Sequence, residues 1–511
     1  MTSILANVKT VSTPCQEYEE KAGLWKKCRA VCNGEHAVKE YDSLLDVVNY
    51  SNLLIPFSPS MTQAQYNFYR AEAELPEIST QFAKMLVGAL LRKKPTVVLP
   101  EGAPADAADW LNNSFGQDDS SLTTFMDTAL WEEMQNSRCW VHVDYPEVSN
   151  AEDLTPEETM SLRPFPVIWK GESVINWIIE TGKNGRDVLK RLVVKGEEEV
   201  FTDGEFHPKY LNTFFVHELN EAGTYQVRVF QQKDAVDAKT KQIVTTYELA
   251  RTNSNILVNG EPLMYIPAWP LNGEISPQVP MLMPIVDKEV ALYNKVSRRN
   301  HLLYGAATYT PWIASDMADE DFQEVVGAGL GSWLRLRTDD KIGVLETPTA
   351  ALGDMEKAIA SGIEEMARLG IRMLSPESAQ SGVALQLRNA SQTAQLGSLN
   401  SRISAVMNQI VVFMLNWKYD LDYSMADVTF TLSSDLNPAA LGPDFLRLAT
   451  EWYEGGHIPR SVWLDLLKQN DMLDTEYDDE VGKEEILKDK EEGMIGEDEA
   501  AGFARGIAEK E

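Results

Sequence analysis

Three long stretches of helical periodicity occupy the second half of the chain, and any fold must find apolar cover for all of them. Residues 281–308 carry Ile285, Leu292, Val296 and Leu303 on one side of a helix that would be roughly 40 Å long. A second stretch, about 349–374, repeats Leu352, Met355, Ile359, Met366, Leu369 and Met373 at three- and four-residue steps. A third, about 383–417, does so with Leu396, Leu399, Ile403, Val406, Ile410, Phe413 and Trp417. A compact segment, 309–348, separates the first two; in it Trp333–Arg337 and Ile342–Leu345 alternate as strands do. A loop, 375–382, precedes the third.

That third helix has an unusual outer face. Between Gln386 and Gln409 its only charges are Arg388 and Arg402, the rest being Ser, Asn, Gln and small residues. A solvated helix normally carries many charges, so either another part of the chain or a neighbouring subunit should cover this face.

The first half is organised differently. Leu53–Pro59 reads as an extended linker after short helical patterns. Helical periodicity runs from about Thr62 to Leu91, interrupted at Pro76 and stopped by Pro95. Thr96–Leu99 is a strand candidate. Asp118 and Asp119, followed by Ser120 and Ser121, offer caps for a helix from Leu122 to about Asn136, and Cys139–Tyr145 reads as a strand ending at Pro146. From about 166 to 266 strand signals dominate, punctuated by glycines. Runs of strands beside runs of helices, in a chain of 511 residues, predict a multidomain α+β protein.

Charge excludes one class of function. The chain has 46 basic and 78 acidic side chains, a formal net charge of −32, which suits neither wrapping nor gripping duplex DNA. From Asp471 onward 16 acids face 5 bases, the composition of a solvated, partly helical or disordered tail. Four cysteines point to folding in a reducing compartment, and no apolar run is long enough for a membrane span. Residues 1–10 lack the pattern of a secretion signal, so the chain is expected to be soluble and made in a cytoplasm.

Motifs that carry chemistry are incomplete. Gly182-Lys183 and Gly482-Lys483 lack the rest of a phosphate loop, and Gly327–Gly331 breaks the dinucleotide pattern at Ser332. His217-Glu218-Leu219-Asn220-Glu221 lacks the second histidine of a zinc-protease helix. Cys28, Cys32 and His36 share a helical spacing, which fits a half-buried helix face better than three metal ligands without a fourth. Asp316, Asp319, Glu320 and Asp321 fit a capped, solvated turn. No catalytic residues, metal or cofactor are expected.

The order of these elements, taken with several short motifs, resembles the portal proteins of tailed bacteriophages over about residues 60–420. Tyr69-Arg70-Ala71 precedes a helix ending Gly88-Ala89-Leu90-Leu91-Arg92-Lys93-Lys94-Pro95, one residue longer than the family's Gly-x-Leu-x-Arg-Lys-x-Pro. Ser121-Leu122-Thr123-Thr124-Phe125 leads to Val143-Asp144-Tyr145-Pro146. Val174–Trp177 and Ser381-Gly382-Val383-Ala384-Leu385 are similar to two further recurrent segments. Where the family often has Gly-Arg before the strand, this chain has Asn136-Ser137-Arg138, a change expected to alter the turn and not the topology.

The resemblance implies a ring, typically of twelve subunits, at one vertex of a capsid, through which double-stranded DNA is packaged and later ejected without sequence specificity. Its partners would be further copies of itself, the terminase large subunit, the major capsid and scaffolding proteins, and the tail adaptors. Synthesis would be in the bacterial host cytoplasm. On this chain the resemblance places an N-terminal extension at 1–59, a wing at 60–280, stem helices at 281–308 and 349–374, and a clip at 309–348. The channel loop falls at 375–382, the wing's long helix and return at 383–439, and a crown with the acidic tail at 440–511. Channel-facing candidates are Lys288, Lys295, Arg299, Ser378, Gln380 and Ser381. Arg335 and Arg337 are candidates for the clip surface facing the terminase, and Leu399, Ile403 and Val406 for packing between subunits. The acidic total suits a conduit that repels DNA from most of its wall. Lys288, Lys295 and Arg299 share a face, and two expectations stand for them: weak rings of positive charge on DNA, or pairing between subunits with acids such as Glu364 and Glu365. Two other classes stay open. One is a DNA-processing enzyme such as a nuclease, for which the acids are too dispersed, and the other is a different virion or cell-wall scaffold.

Overall fold

The structure is a computed structural model. It describes residues 10–43, 52–146, 162–182, 187–200, 206–236, 243–254, 256–307, 310–314, 341–345, 350–371 and 382–432, with scattered positions between these and as far as 482. The chain divides into two compact units, residues 1–372 with 395–434, and residues 373–394 with 435–511.

The first unit opens with a helical layer. Helices α1 (Gln16–Cys32), α2 (Glu35–Ser43), α3 (Gln63–Glu72) and α4 (Ile78–Leu90) lead to strand β1 (Thr96–Val98), helix α5 (Ala107–Asn113) and helix α6 (Leu122–Asn136). Local chemistry sets several of these ends. Thr62 and Gln65 form a capping box at the start of α3, and the Ser121 hydroxyl accepts from the Thr124 amide at the start of α6. Trp25, Cys28, Val31, Tyr66, Phe82, Leu86, Met126 and Leu130 are buried in this layer. Arg29 ties it together, giving one side of its guanidinium to Glu132 at 2.7 Å and the other to Glu172 at 2.8 Å. The segment expected to be an extended linker is anchored at its start. The Leu53 and Leu54 amides donate to Asp42 at 2.7 and 2.9 Å, and both side chains are buried.

Strand β2 (Cys139–Asp144) runs antiparallel to β3 (Phe165–Lys170). The chain then folds into a five-stranded antiparallel meander: β4 (Val174–Thr181), β5 (Asp187–Val200), β6 (Lys209–Leu219), β7 (Tyr225–Val236) and β8 (Ile243–Asn253). One face of the meander buries Ile175, Val193, Phe214 and Val216, covered by Val11, Tyr18, Phe230 and Tyr247. A small hairpin, β9 (Leu257–Val258) and β10 (Glu261–Pro262), is followed by β11 (Ala268–Pro270), which pairs with the free side of β2.

Helix α7 (Met283–Ala307) is followed by β12 (Thr310–Ala314), β13 (Lys341–Leu345) and helix α8 (Ala350–Ile371). Helix α9 (Gly382–Tyr419) precedes β14 (Thr429–Thr431), which returns to pair with β1. In the second unit, the Tyr453 ring stacks on Trp463 with centroids 4.7 Å apart, and the Trp463 indole N–H donates to the Thr450 hydroxyl. Mixed helix and strand in separate runs is the α+β organisation expected from the sequence.

Candidate functional site

Helix α7 is built into the helical layer along one side. The Met281 amide donates to the Ser137 hydroxyl at 2.9 Å, fixing the approach to the helix at the end of α6. Leu282, Ile285, Val286, Leu292, Tyr293 and Val296 are buried. Between them Glu289 accepts from the Ile78 and Ser79 amides at 2.8 and 2.7 Å, so its carboxylate caps the first turn of α4. Burial raises the pKa of Glu289 against those two N–H groups. One turn further, Asn294 accepts from the Ile55 amide and donates to the Leu53 carbonyl, at 2.8 and 2.7 Å. Leu303, expected on the same apolar side, is exposed.

Helix α8 lies antiparallel on the flank of α7. Lys288 pairs with Glu365 at 2.7 Å, a Cβ placed on Gly362 would come within 3.2 Å of Leu292, and Arg299 approaches Glu356 at 3.9 Å. These three contacts run in opposite directions along the two helices. Of the acids expected to answer the stem cations, Glu365 pairs with Lys288 within one chain, and Arg299 approaches Glu356 of that same chain. The helices are close enough in one chain for long side chains to reach across. Lys295, exposed, acts on Glu365 only at a distance, and together with Lys288 it holds that carboxylate below the usual range. Asp287 is claimed by Lys27 at 2.6 Å.

Strands β12 and β13 pair antiparallel between the two helices. Gly343 is required there, because a Cβ would meet the Trp312 ring at 2.7 Å. The sequence signals found Ile342–Leu345 and missed Thr310–Ala314. Trp333–Arg337, and with it Arg335 and Arg337, lies outside the described residues, as do the loop candidates Ser378, Gln380 and Ser381.

The packing candidates on α9 are placed differently from expectation. Leu399, Ile403 and Val406 are buried in their own chain, so an apolar stripe read as a subunit contact is core. Part of the polar face of the same helix bonds to the return segment of the chain, while Ser398, Ser401 and Ala405 are exposed. Asn408 accepts from the Phe430 amide at 2.9 Å and donates to the Met425 carbonyl, while Asn416 exchanges two bonds with the backbone of Tyr423. Ser404 accepts from the Leu432 amide. The Asn and Ser side chains thus satisfy a return segment that has little ladder pairing of its own.

Sequence reasoning missed a buried polar cluster. The Tyr225 hydroxyl lies 2.6 Å from His217 Nδ1 and 3.3 Å from His142 Nε2, and the His142 ring stacks on Trp169 at 4.5 Å. Burial pushes His217 down to about 3 and lowers His142 as well, so both imidazoles are neutral near pH 7. The only sequence signal was the incomplete His217-Glu218 motif, which proves to be on strand β6. The cluster borders a cleft of about 1140 Å³ that Asp144, Arg163, Trp417 and Lys418 also line. Cys28 Sγ lies 3.5 Å from Met283 Sδ, and burial raises its thiol to about 12, the state of an inert core thiol. Among the described residues no three His, Cys, Asp or Glu side chains are grouped to hold a metal ion. No described helix is long and apolar enough to cross a membrane.

Residues 281–418, less than half of the chain, match a family described as a domain of unknown function, DUF4055. The match takes in α7, the β12–β13 pair, α8 and nearly all of α9. No curated protein matches. Solved structures similar to the chain include a component of the virion of a native gene transfer agent particle, at 10% identity and a TM-score of 0.38 over 76% of this chain and 89% of that one. Others come from the neck of the empty particle, computed with C6 symmetry, and of the native particle, computed with C12 symmetry. Each is 11% identical, with a TM-score of 0.37 and the same coverage.

Proposed function

We propose that this chain is the subunit of a phage portal, a ring at one capsid vertex through which DNA passes during packaging and ejection. The observation that carries the proposal is the antiparallel pair α7–α8, bridged by the small β12–β13 sheet and followed by the long helix α9. This is the stem, clip, stem and long-helix order that the sequence motifs imply. In that role α7 and α8 are stems. Their charges suit a conduit: the pairs Lys288–Glu365 and Arg299–Glu356 neutralise cations that would otherwise grip phosphate, on a chain that is strongly acidic as a whole. A moving duplex is held least by a wall of paired charges.

The proposed ring is passive. It would dock the terminase large subunit, which hydrolyses ATP, and afterwards the tail adaptors, and it would sit in a shell of major capsid protein assembled with scaffolding protein. The subunit itself takes no cofactor and catalyses no reaction. Mass photometry of the purified full chain tests this directly. A discrete species at about twelve times 57.2 kDa is expected, and a chain that stays monomeric at every concentration would overturn the proposal.

A further inference from the structure

The β11–β2–β3 sheet lies against one face of the meander, and histidines line the seam. Trp177, Leu192 and His217 are register partners across β4, β5 and β6, so their side chains share that face. The His217 ring lies 4.9 Å from His142 of β2 and 4.8 Å from Trp169 of β3. His142, His217 and Tyr225 are each at most 5% exposed. The Tyr225 hydroxyl is the one hydrogen-bond partner of both imidazoles among the described residues. A single hydroxyl hydrogen cannot serve two rings: one imidazole accepts it, and the other donates its own N–H to the oxygen.

We infer that this shared hydroxyl is a proton-sensitive latch: protonation of either imidazole breaks the His142–Tyr225–His217 arrangement and parts the β11–β2–β3 sheet from the meander, while the helical layer stays folded. The inference stands apart from the portal reading. An added proton turns the accepting nitrogen into a donor, so both rings aim N–H groups at one oxygen and the hydroxyl hydrogen loses its acceptor. The surrounding charges do not answer an imidazolium. Asp144 of β2 acts on Tyr225 and on neither imidazole. Glu218, next along β6, turns to the other face, where Arg191 of β5 and Arg228 of β7 hold it, each at 2.7 Å. At the cleft rim Arg163 pairs with Asp119, Arg251 with Glu198 and Lys418 with Asp106, and Asp420 is the remaining acid. Further along the seam Arg138 is already buried between the Trp140 and Trp177 rings, 5.1 and 4.5 Å from their centres, with Nε and Nη2 unpartnered. Two imidazolium ions would add to that cation. The cleft of about 1140 Å³ lined by His142, His217 and Tyr225 gives water a way in.

The direction of the response follows. Burial lowers both imidazoles in the closed seam, and opening returns them to about 6.5. The open state binds more protons, so the latch is at full strength above about pH 6.5 and weakens as pH falls below it. Glu133, where α6 meets β2, responds in the opposite sense, so substitution must isolate the imidazoles.

Hydrogen–deuterium exchange of the full chain at pH 7 and pH 5, read by mass spectrometry and corrected for the intrinsic effect of pH on amide exchange, tests the latch. One imidazole rising from about 3 to 6.5 favours opening roughly 25-fold over that interval. Peptides of β2, β3 and β6 should therefore exchange at least about tenfold faster at pH 5, and those of α1 and α4 less than about twofold. His142→Gln with His217→Gln should abolish the gain at pH 5. Tyr225→Phe, which leaves both rings without their partner, should show faster exchange in the same strands already at pH 7. No gain in the wild type, a gain spread evenly over the helical peptides, or a gain that survives both glutamines would overturn the inference. So would Tyr225→Phe exchanging like the wild type at pH 7, a result that needs no glutamine variant to fold.

Discussion

Glu133, in the last turn of α6, is almost fully buried, and its carboxylate accepts the Cys139 amide at 2.9 Å. Burial pushes its pKa up to about 7, against the opposing pull of that amide and of Arg138 and Arg402. The folded chain therefore keeps a proton that the unfolded chain gives up from about pH 4.5. Stability from this group is complete below that pH and falls as pH rises to about 7, by up to ~3 kcal/mol. Glu133→Gln keeps an acceptor for Cys139 and removes the ionisation. Denaturant melts at pH 5 and pH 8 should show the wild type losing roughly 2–3 kcal/mol more than the variant across that interval; equal losses would contradict this account of the site. Such a residue is hard to read from sequence, because Glu133 stands among helix residues with nothing to mark it as inward. Ser137 was more legible. The family comparison flagged it where glycine is usual, and the structure places it in the left-handed region at φ 50° while its hydroxyl anchors Met281. The turn survives because a polar side chain gains a bond that glycine could not make.

At the scale of elements, α6 and the three long helices matched their sequence patterns because caps and apolar period both act locally. The five-stranded meander did not declare its register: pairings such as Phe214 with Phe230 depend on residues far apart in sequence. The strand Thr310–Ala314 was missed because proline and tryptophan disguise its alternation, and its partner is known only from the pairing. Helix α9 shows the opposite case, a pattern seen correctly whose partner was not. Its apolar residues Leu399, Ile403 and Val406, and its polar residues Ser404, Asn408 and Asn416, serve the chain itself. Ile403→Asp should abolish soluble folded protein by burying an unpaired carboxylate. Asn408→Ala is gentler: it strands the Phe430 amide and the Met425 carbonyl, and should cost about 1–3 kcal/mol in thermal or denaturant unfolding. An unchanged midpoint for Asn408→Ala would mean that water or a rearranged return segment replaces those bonds.

For the whole molecule, the long helices, the acidic balance and the order of motifs are the sequence features on which the proposed conduit rests. The structure adds the pairing of α7 with α8 and the charges neutralised along it. What the sequence could not supply is that Glu365 of the same chain answers Lys288, since helical spacing alone does not say how two helices 77 residues apart lie against each other. The central claim is positional: α7 and α8 should surround the axis of a ring. Cryo-electron microscopy of the assembled full chain, at a resolution that separates helices, tests it most directly. The account predicts rings whose narrow passage is walled by the α7–α8 pair, with the β12–β13 sheet at one mouth. Rings with this helix pair on the outer rim, or an assembly without a central opening, would contradict it.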